Sequence, residues 1–243
     1  MKIVKLNAID STNSYLKDLA RESNIENGTV VIANFQTKGR GQNDNKWVSD
    51  SDKNLTFSVL VRFKNLKVEE QFYLNYVISI AIYNVLKNYV PKKLTVKWPN
   101  DIMSGNQKIC GILIETTINK SNVKNAIIGV GLNVNQENFP DAIAKATSLK
   151  SILNKVIDRD ELFEKILIEI QYQLISIKKQ EFKKIKNEYE TILYKNGVPS
   201  MFVDSNESQF LGKILGTSIT GSLRVELENE TVKHFSVKEI RFA

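Results

Sequence analysis

The chain has 243 residues, 42% of them hydrophobic, and sets 34 Lys and Arg against 27 Asp and Glu for a net charge of +7. That is enough apolar material for a sizeable core, yet the most apolar run, residues 77–83, falls far short of the roughly 20 residues that span a bilayer. A single cysteine, Cys110, and a single histidine, His234, preclude an internal disulfide and a Cys/His zinc cluster and argue against a Ser-His-Asp triad, so Lys, Arg, Asp and Asn are left to carry any chemistry.

Residues 1–15 lack a signal-peptide pattern, so a cytoplasmic location is expected. The positive charge invites a nucleic-acid partner. However, the surface is mixed, and the densest basic run, 178–186, falls on a predicted amphipathic helix where charges form a solvated face. An acidic protein partner accounts for the surplus equally well.

Residues 2–9 alternate as a short strand. Asp10, Ser11, Thr12 and Asn13 then offer side chains suited to cap the helix implied by Tyr15, Leu16, Leu19 and Ala20; the plain cap is the favoured reading, with a small-ligand site as the alternative. A buried strand over 28–35 leads into a polar stretch, 34–54, that combines Gly39 and Gly41 with Lys38, Arg40, Lys46 and Trp47. Glycines let the main chain approach a ligand, and a guanidinium with an aromatic plane suits a flat anion such as a nucleotide. The stretch matches neither the G-x-G-x-x-G pattern nor the P-loop.

A strand over 54–63 follows, then a helix over 69–90 with Phe72, Tyr76, Val77, Ile80, Ala81 and Val85 at helical spacing and Pro91 as its stop. Strand residues Leu94–Lys97 run into a turn at Trp98-Pro99-Asn100-Asp101, and a second turn at 104–107 leads to an apolar strand, 109–114. On composition alone Lys97 and Asp101 read as an ion pair and Lys108 as a strand-edge charge, since buried lysine needs a partner. The next strand, 126–135, carries Gly129 and Gly131, which weaken it unless something packs closely on its backbone. Residues 141–154 read as a helix. Asp158 and Glu161 start a long helical region reaching Lys195, with a break near 176–180. From Gly197 onward short alternating runs and turns predict a small β-domain.

Taken together, five motifs occur in the order and approximate spacing of biotin protein ligases: Asp10 to Asn13; Gln36, Gly39-Arg40-Gly41 and Lys46-Trp47; Lys97 to Asp101; Lys108 with Gly111 to Glu115; and Gly129 to Asn133. The chain resembles that family over roughly residues 8–135, and its last 45 or so residues are similar to the SH3-like domain the family carries. The resemblance implies an α+β fold: a mixed β-sheet with packed helices, like the class II synthetases, over residues 1–196, and the SH3-like domain over 197–243. With no room before Lys2 for a winged helix-turn-helix, the monofunctional type without DNA binding is expected. Oligomeric state is left open, a homodimer included.

The resemblance further implies activation of biotin by MgATP to biotinyl-5′-AMP and transfer of the acyl group to a lysine of a biotin carboxyl carrier protein. Ser11, Thr12, Asn13 and Gln36 would then hold biotin, and Arg40, with the Gly39 and Gly41 backbone, the carboxylate–phosphate junction. Lys108 would neutralise that junction, and Asp101 would orient or deprotonate the incoming amine. Gln42, Trp47, Lys97, Asn100 and Asn133 would face ATP or the adenylate. No metal-ligating residue is assigned. One departure stands out: the family commonly has G-R-G-R-x-G, where this chain has Gln42 and Asp44 at the second arginine and last glycine. Lipoate or octanoate transfer within the same superfamily, and a non-catalytic module that binds biotinyl-AMP, remain the rival readings.

Overall fold

A computed structural model describes residues 1–42, 45–90, 92–140 and 145–243. Seven strands form one sheet: β1 (Ile3–Ile9), β2 (Val30–Gln36), β3 (Leu55–Arg62), β4 (Leu94–Lys97), β5 (Asp101–Ser104), β6 (Gln107–Asn119) and β7 (Asn122–Leu132). Their order is β1-β2-β3-β7-β6-β5-β4; β1 and β2 run parallel and every other neighbouring pair is antiparallel, so the sheet is mixed as expected. β6 continues well past the expected end of its strand, because β7 pairs with it out to Asn119.

The alternation of β3 sorts its side chains between two faces. Phe57, Val59 and Val61 join the main core under α2 (Phe72–Leu86), α4 (Arg159–Lys178) and α5 (Phe182–Thr191). Leu60 faces the other way, into a smaller cluster with Val31, Ile127 and Leu16 of α1 (Thr12–Glu22). Thr56 and Ser58 share that second face and are fully buried, so they need hydrogen-bond partners there. The functional site lies on this side of the sheet.

Helix α2 is apolar nearly all round because the sheet covers one side and α4 and α5 the other. Phe163 meets Phe57 edge-on at 5.1 Å, and Tyr189 stacks on Tyr76 at 3.9 Å. The expected helix over 69–90 divides into a 3-10 turn, Val68–Glu70, and α2; its stop, Pro91, lies outside the described residues. The break in the long C-terminal helical region falls between α4 and α5, where Gln180 has φ +56°. In the expected helix over 141–154, residues 141–144 lie outside the described set, and only α3 (Leu149–Leu153) is helical, capped by Ser148. Residues 145–147 instead run beside Lys108, which takes its backbone partners from Lys145 and Thr147.

A second, antiparallel sheet follows: β8 (Pro199–Asp204), β9 (Gln209–Thr217), β10 (Leu223–Leu227), β11 (Val232–Phe235) and β12 (Ile240–Phe242), in the order β11-β10-β9-β8-β12. It is fastened to the first part of the chain by Glu190, whose carboxylate accepts from the Thr217 N–H at 2.6 Å and hydroxyl at 2.9 Å, and by Trp98, whose indole donates to Gly221 O at 3.0 Å. No helix among the described residues is long and apolar enough to cross a membrane.

Candidate active site

The floor of the site is a patch of glycine on β6 and β7. Gly111 pairs with Gly131, and Gly129 lies opposite Leu113. A Cβ at Gly129 would stand 2.3 Å from Asn13 Oδ1, and one at Gly131 would stand 2.4 Å from the Trp47 ring. Both are impossible contacts, so glycine is what lets an amide and an indole lie directly on the strands. The close approach expected over 126–135 is therefore present.

Over this floor opens a cleft of about 450 Å³. At one end stand Ser11, Thr12 and Asn13, each almost fully buried at the start of α1, with Gln36 from the end of β2. Gln36 Oε1 accepts from the Thr12 N–H at 2.8 Å. Ser11 is the N-cap residue but makes no side-chain cap bond. The expectation that this cluster is a plain helix cap is thus corrected: the Ser11 hydroxyl lines the cleft and is not used by the helix. Leu113, opposite Gly129, supplies an apolar side chain in the middle, while Ile112 and Val130 turn their side chains into the main core and line the cleft with backbone.

The other end is cationic. Residues 39–41 and 45–47 pair antiparallel, with Arg40 bridged to Lys46, the Gly41 N–H donating to Asn45 O at 2.7 Å and the Trp47 N–H to Gly39 O at 2.9 Å. Gly39 is needed because a Cβ there would sit 2.3 Å from the Trp47 carbonyl oxygen. Asp44 lies outside the described residues. The pairing brings Arg40, Gly41, Gln42 and Trp47 to the cleft, where Lys108 joins them from β6. Lys108 Nζ is 5.7 Å from the Trp47 ring centroid, a cation–π distance. The Trp47 Nε1 is buried with no hydrogen-bond partner among the described residues.

Lys108 Nζ also lies 2.6 Å from Asp101 Oδ1. The expected Lys97–Asp101 pair is therefore corrected: Asp101 takes Lys108 across the β5–β6 pair, whose register shifts between Ile102 and Met103. Lys97 has no ion pair within 4 Å among the described residues and rests 5.5 Å from the Phe242 ring. Burial holds its ammonium below the ordinary lysine value, against the opposing pull of Asp101. Lys97 and Asp101 line a wider groove of about 1180 Å³ that continues from the cleft, sharing Gly41, Gln42, Trp47, Asn100 and Lys108 with it. Phe202, Ile240, Arg241 and Phe242 of the second sheet form its far wall.

Two expected site residues are structural staples as well. Asn100 donates to Ile112 O at 2.6 Å and accepts on its own backbone carbonyl from the Ile112 N–H at 3.1 Å, locking the Trp98–Asp101 turn to β6. Asn133 lies outside both cavities: it donates to Thr147 O at 3.0 Å, while its Oδ1 is buried without a partner. Sequence reasoning placed Glu115 in a motif without giving it a role and passed over Ser58. Glu115 gathers Arg40 at 2.6 Å, Asn13 at 2.9 Å and Lys17 at 3.3 Å. Burial alone would raise its carboxyl, but the Asn13 amide and the two cations outweigh that and hold it below the usual glutamate value.

The model of the Biotin/lipoate A/B protein ligase family matches residues 6–133, more than half of the chain. The chain belongs to this family. Among curated relatives it is 30% identical to the bifunctional ligase/repressor BirA of Bacillus subtilis, over 93% of this chain and 69% of that one. It is also 30% identical to the biotin--[acetyl-CoA-carboxylase] ligase of Mycobacterium tuberculosis, over 68% of this chain and 61% of that one. Among solved structures it superposes on the Aquifex aeolicus biotin protein ligase in complex with biotin and ATP with a TM-score of 0.82 at 31% identity, covering 100% of this chain and 99% of that one. The mixed sheet followed by a separate antiparallel sheet is thus the architecture of a biotin ligase, as the five motifs implied.

Proposed function

We propose that this family member activates biotin with ATP and passes the biotinyl group to a lysine of a biotin carboxyl carrier protein. The observation that carries the reading is the polarity of the cleft: a neutral hydrogen-bonding end, an apolar middle and a cationic end under an indole. A neutral cyclic urea with an aliphatic carboxylate tail matches that sequence of environments. Ser11, Thr12, Asn13 and Gln36 bind the ring, and the tail carboxylate reaches Arg40 and Lys108.

In the first step a carboxylate oxygen attacks the α-phosphorus of ATP and pyrophosphate leaves. Arg40 and Lys108 act by opposing the negative charge that grows on the non-bridging oxygens, fixed in place before the reaction begins. Trp47 offers a ring face to the nucleotide, and Gln42, Lys97 and Asn100 complete the nucleotide-facing set; Asn133, outside both cavities, is left out of it. In the second step the carrier lysine amine attacks the acyl carbon, AMP departs, and Asp101 orients the amine and takes up its proton. The groove beside Asp101 is the open approach for that amine.

The described residues do not form a magnesium cage: they contain no group of three or more metal-ligating side chains, and Asp101 and Glu115 are each bound to cations. The ion is therefore expected to arrive on the triphosphate, as is usual for magnesium. The test is biotin-dependent ATP–pyrophosphate exchange, with lipoate and octanoate run in parallel. Exchange with biotin alone supports the reading; exchange only with lipoate or octanoate, or with none, overturns it.

A further inference from the structure

We propose that Ser58 is a positioning residue that fixes the hydrogen-bonding sense of the cleft's neutral end, so that Thr12 presents its hydroxyl oxygen as an acceptor to a ligand N–H. The proposal rests on reading that end as the biotin ring site. Ser58 is fully buried on β3, behind the wall of the cleft, and does not line it.

The argument follows the protons. Asn13 faces two groups that can only accept, Glu115 Oε2 at 2.9 Å and Leu113 O at 3.3 Å, so its NH2 points to them. Its Oδ1 must then lie on the other side, over Gly129, where Ser58 Oγ is 2.6 Å away. An amide oxygen has no proton to give, so the single Ser58 proton goes to Asn13.

Ser58 Oγ is also 2.7 Å from Thr12 Oγ1, and that short contact needs a proton. Ser58 has none left, so Thr12 supplies it; the other acceptor near the Thr12 hydroxyl, Gln36 Oε1, is farther away at 3.1 Å and already takes the Thr12 N–H at 2.8 Å. The Thr12 hydroxyl proton is thereby turned away from the cleft, and its oxygen keeps free lone pairs facing in. Gln36 is set in the complementary sense: its Oε1 accepts from the Thr12 N–H, which turns its Nε2 to the other side as a donor. An N–H beside a C=O, as in a cyclic urea, matches such an acceptor–donor pair.

The experiment is calorimetric titration of the intact chain with biotin, for the wild type, Ser58→Ala, Thr12→Val, the double variant and Ser58→Cys. Ser58→Ala frees the Thr12 proton to turn to Gln36 Oε1, 3.1 Å away on the cleft side, where it opposes a ligand N–H, and biotin is expected to bind about tenfold more weakly, the scale of one lost hydrogen bond. In the Thr12→Val background the same change is expected to add less than about twofold, because Glu115 and Leu113 still hold the Asn13 amide in its sense and the remaining effect of Ser58 runs through Thr12. Ser58→Cys keeps the volume with a weak donor and should follow Ser58→Ala, which separates hydrogen bonding from packing and carries the test where alanine prevents folding. Wild-type affinity in Ser58→Ala, or losses that add fully in the double variant, would overturn the proposal alone. Failure of the wild type to bind biotin would overturn it together with the biotin reading.

Discussion

Lys108 and Asp101 meet at 2.6 Å where the cleft opens into the groove, so the cation expected to act on the phosphoryl junction and the carboxylate expected to act on the incoming amine hold each other in place. Breaking the pair from either side therefore has different consequences. Lys108→Met removes the charge used in the first step, and ATP–pyrophosphate exchange should fall by about 100-fold or more. Asp101→Asn keeps a hydrogen-bonding partner for Lys108, so exchange should fall by less than about tenfold while transfer to the carrier falls by at least that much. Equal losses in both half-reactions for Asp101→Asn would remove its assigned role.

Much of this site can be read in the sequence because it sits where rules of local structure are broken: two glycines in an apolar strand, cations beside buried strands, a polar run between two strands. What could not be read is which groups pair. Lys97, Lys108 and Asp101 lie within twelve residues, and which lysine takes the carboxylate depends on how β5 pairs with β6, which spacing along the chain does not report. Ser58 was hidden because one serine in an apolar strand gives no sign that its face meets Asn13, 45 residues earlier. The helix expected over 141–154 had propensity in its favour, but residues 145–147 are drawn out beside Lys108 by backbone bonds to β6, which local propensity does not report.

The glycine floor gives a sharp test. A Cβ at Gly131 would stand 2.4 Å from the Trp47 ring, and the strand backbone cannot retreat because β6 and β3 hold it on both sides. In Gly131→Ala the indole must move, at a cost of about 1–3 kcal/mol for overpacking. Melting should fall modestly, and the KM for ATP should rise more than tenfold with little change in affinity for biotin. A biotin affinity that falls in step with the KM for ATP would show that Trp47 does not serve the nucleotide separately.

Glu115 predicts a pH dependence whose sign is set by its depressed pKa. A carboxylate held lower in the folded state contributes stability that is fully present above the ordinary glutamate value, about 4.3, and is lost as pH falls through the folded value. Wild-type stability should therefore decline with acid over that window more steeply than that of Glu115→Gln, which has no proton to take up there. Parallel pH profiles for the two proteins, measured by denaturant titration, would mean that Arg40, Lys17 and Asn13 do not hold the carboxylate in solution.

Lys97 offers the opposite balance of stability and function. It is partly buried beside Phe242 without an ion pair within 4 Å among the described residues, and burial lowers its pKa. Lys97→Met keeps the stem and removes the charge, so stability should stay within about 1 kcal/mol of wild type or rise. The KM for ATP should meanwhile increase about tenfold, as a cation kept at some cost to the fold is lost from the groove. Unchanged ATP kinetics would leave Lys97 without a role in nucleotide binding.

Gln42 is where the chain departs from its family, and its place makes that departure consequential. It lines both the cleft and the groove, beside Arg40 and Trp47, at the opening through which a finished adenylate would leave. Arg40 is drawn to Glu115, and Lys108 is shared with Asp101, so neither presents an undivided positive charge to the phosphate. An arginine at position 42 would add a further cation to the lining of the cleft, whereas an amide offers hydrogen bonds without charge. The adenylate, an anion in a partly open site, should escape more readily from this chain than from its Gln42→Arg variant. In single-turnover reactions without carrier, the variant is expected to release biotinyl-AMP about tenfold more slowly, with labelling of bystander lysines reduced in proportion. Equal release from both proteins would mean that the existing cations, Arg40 and Lys108 among them, already hold the intermediate without a charge at position 42.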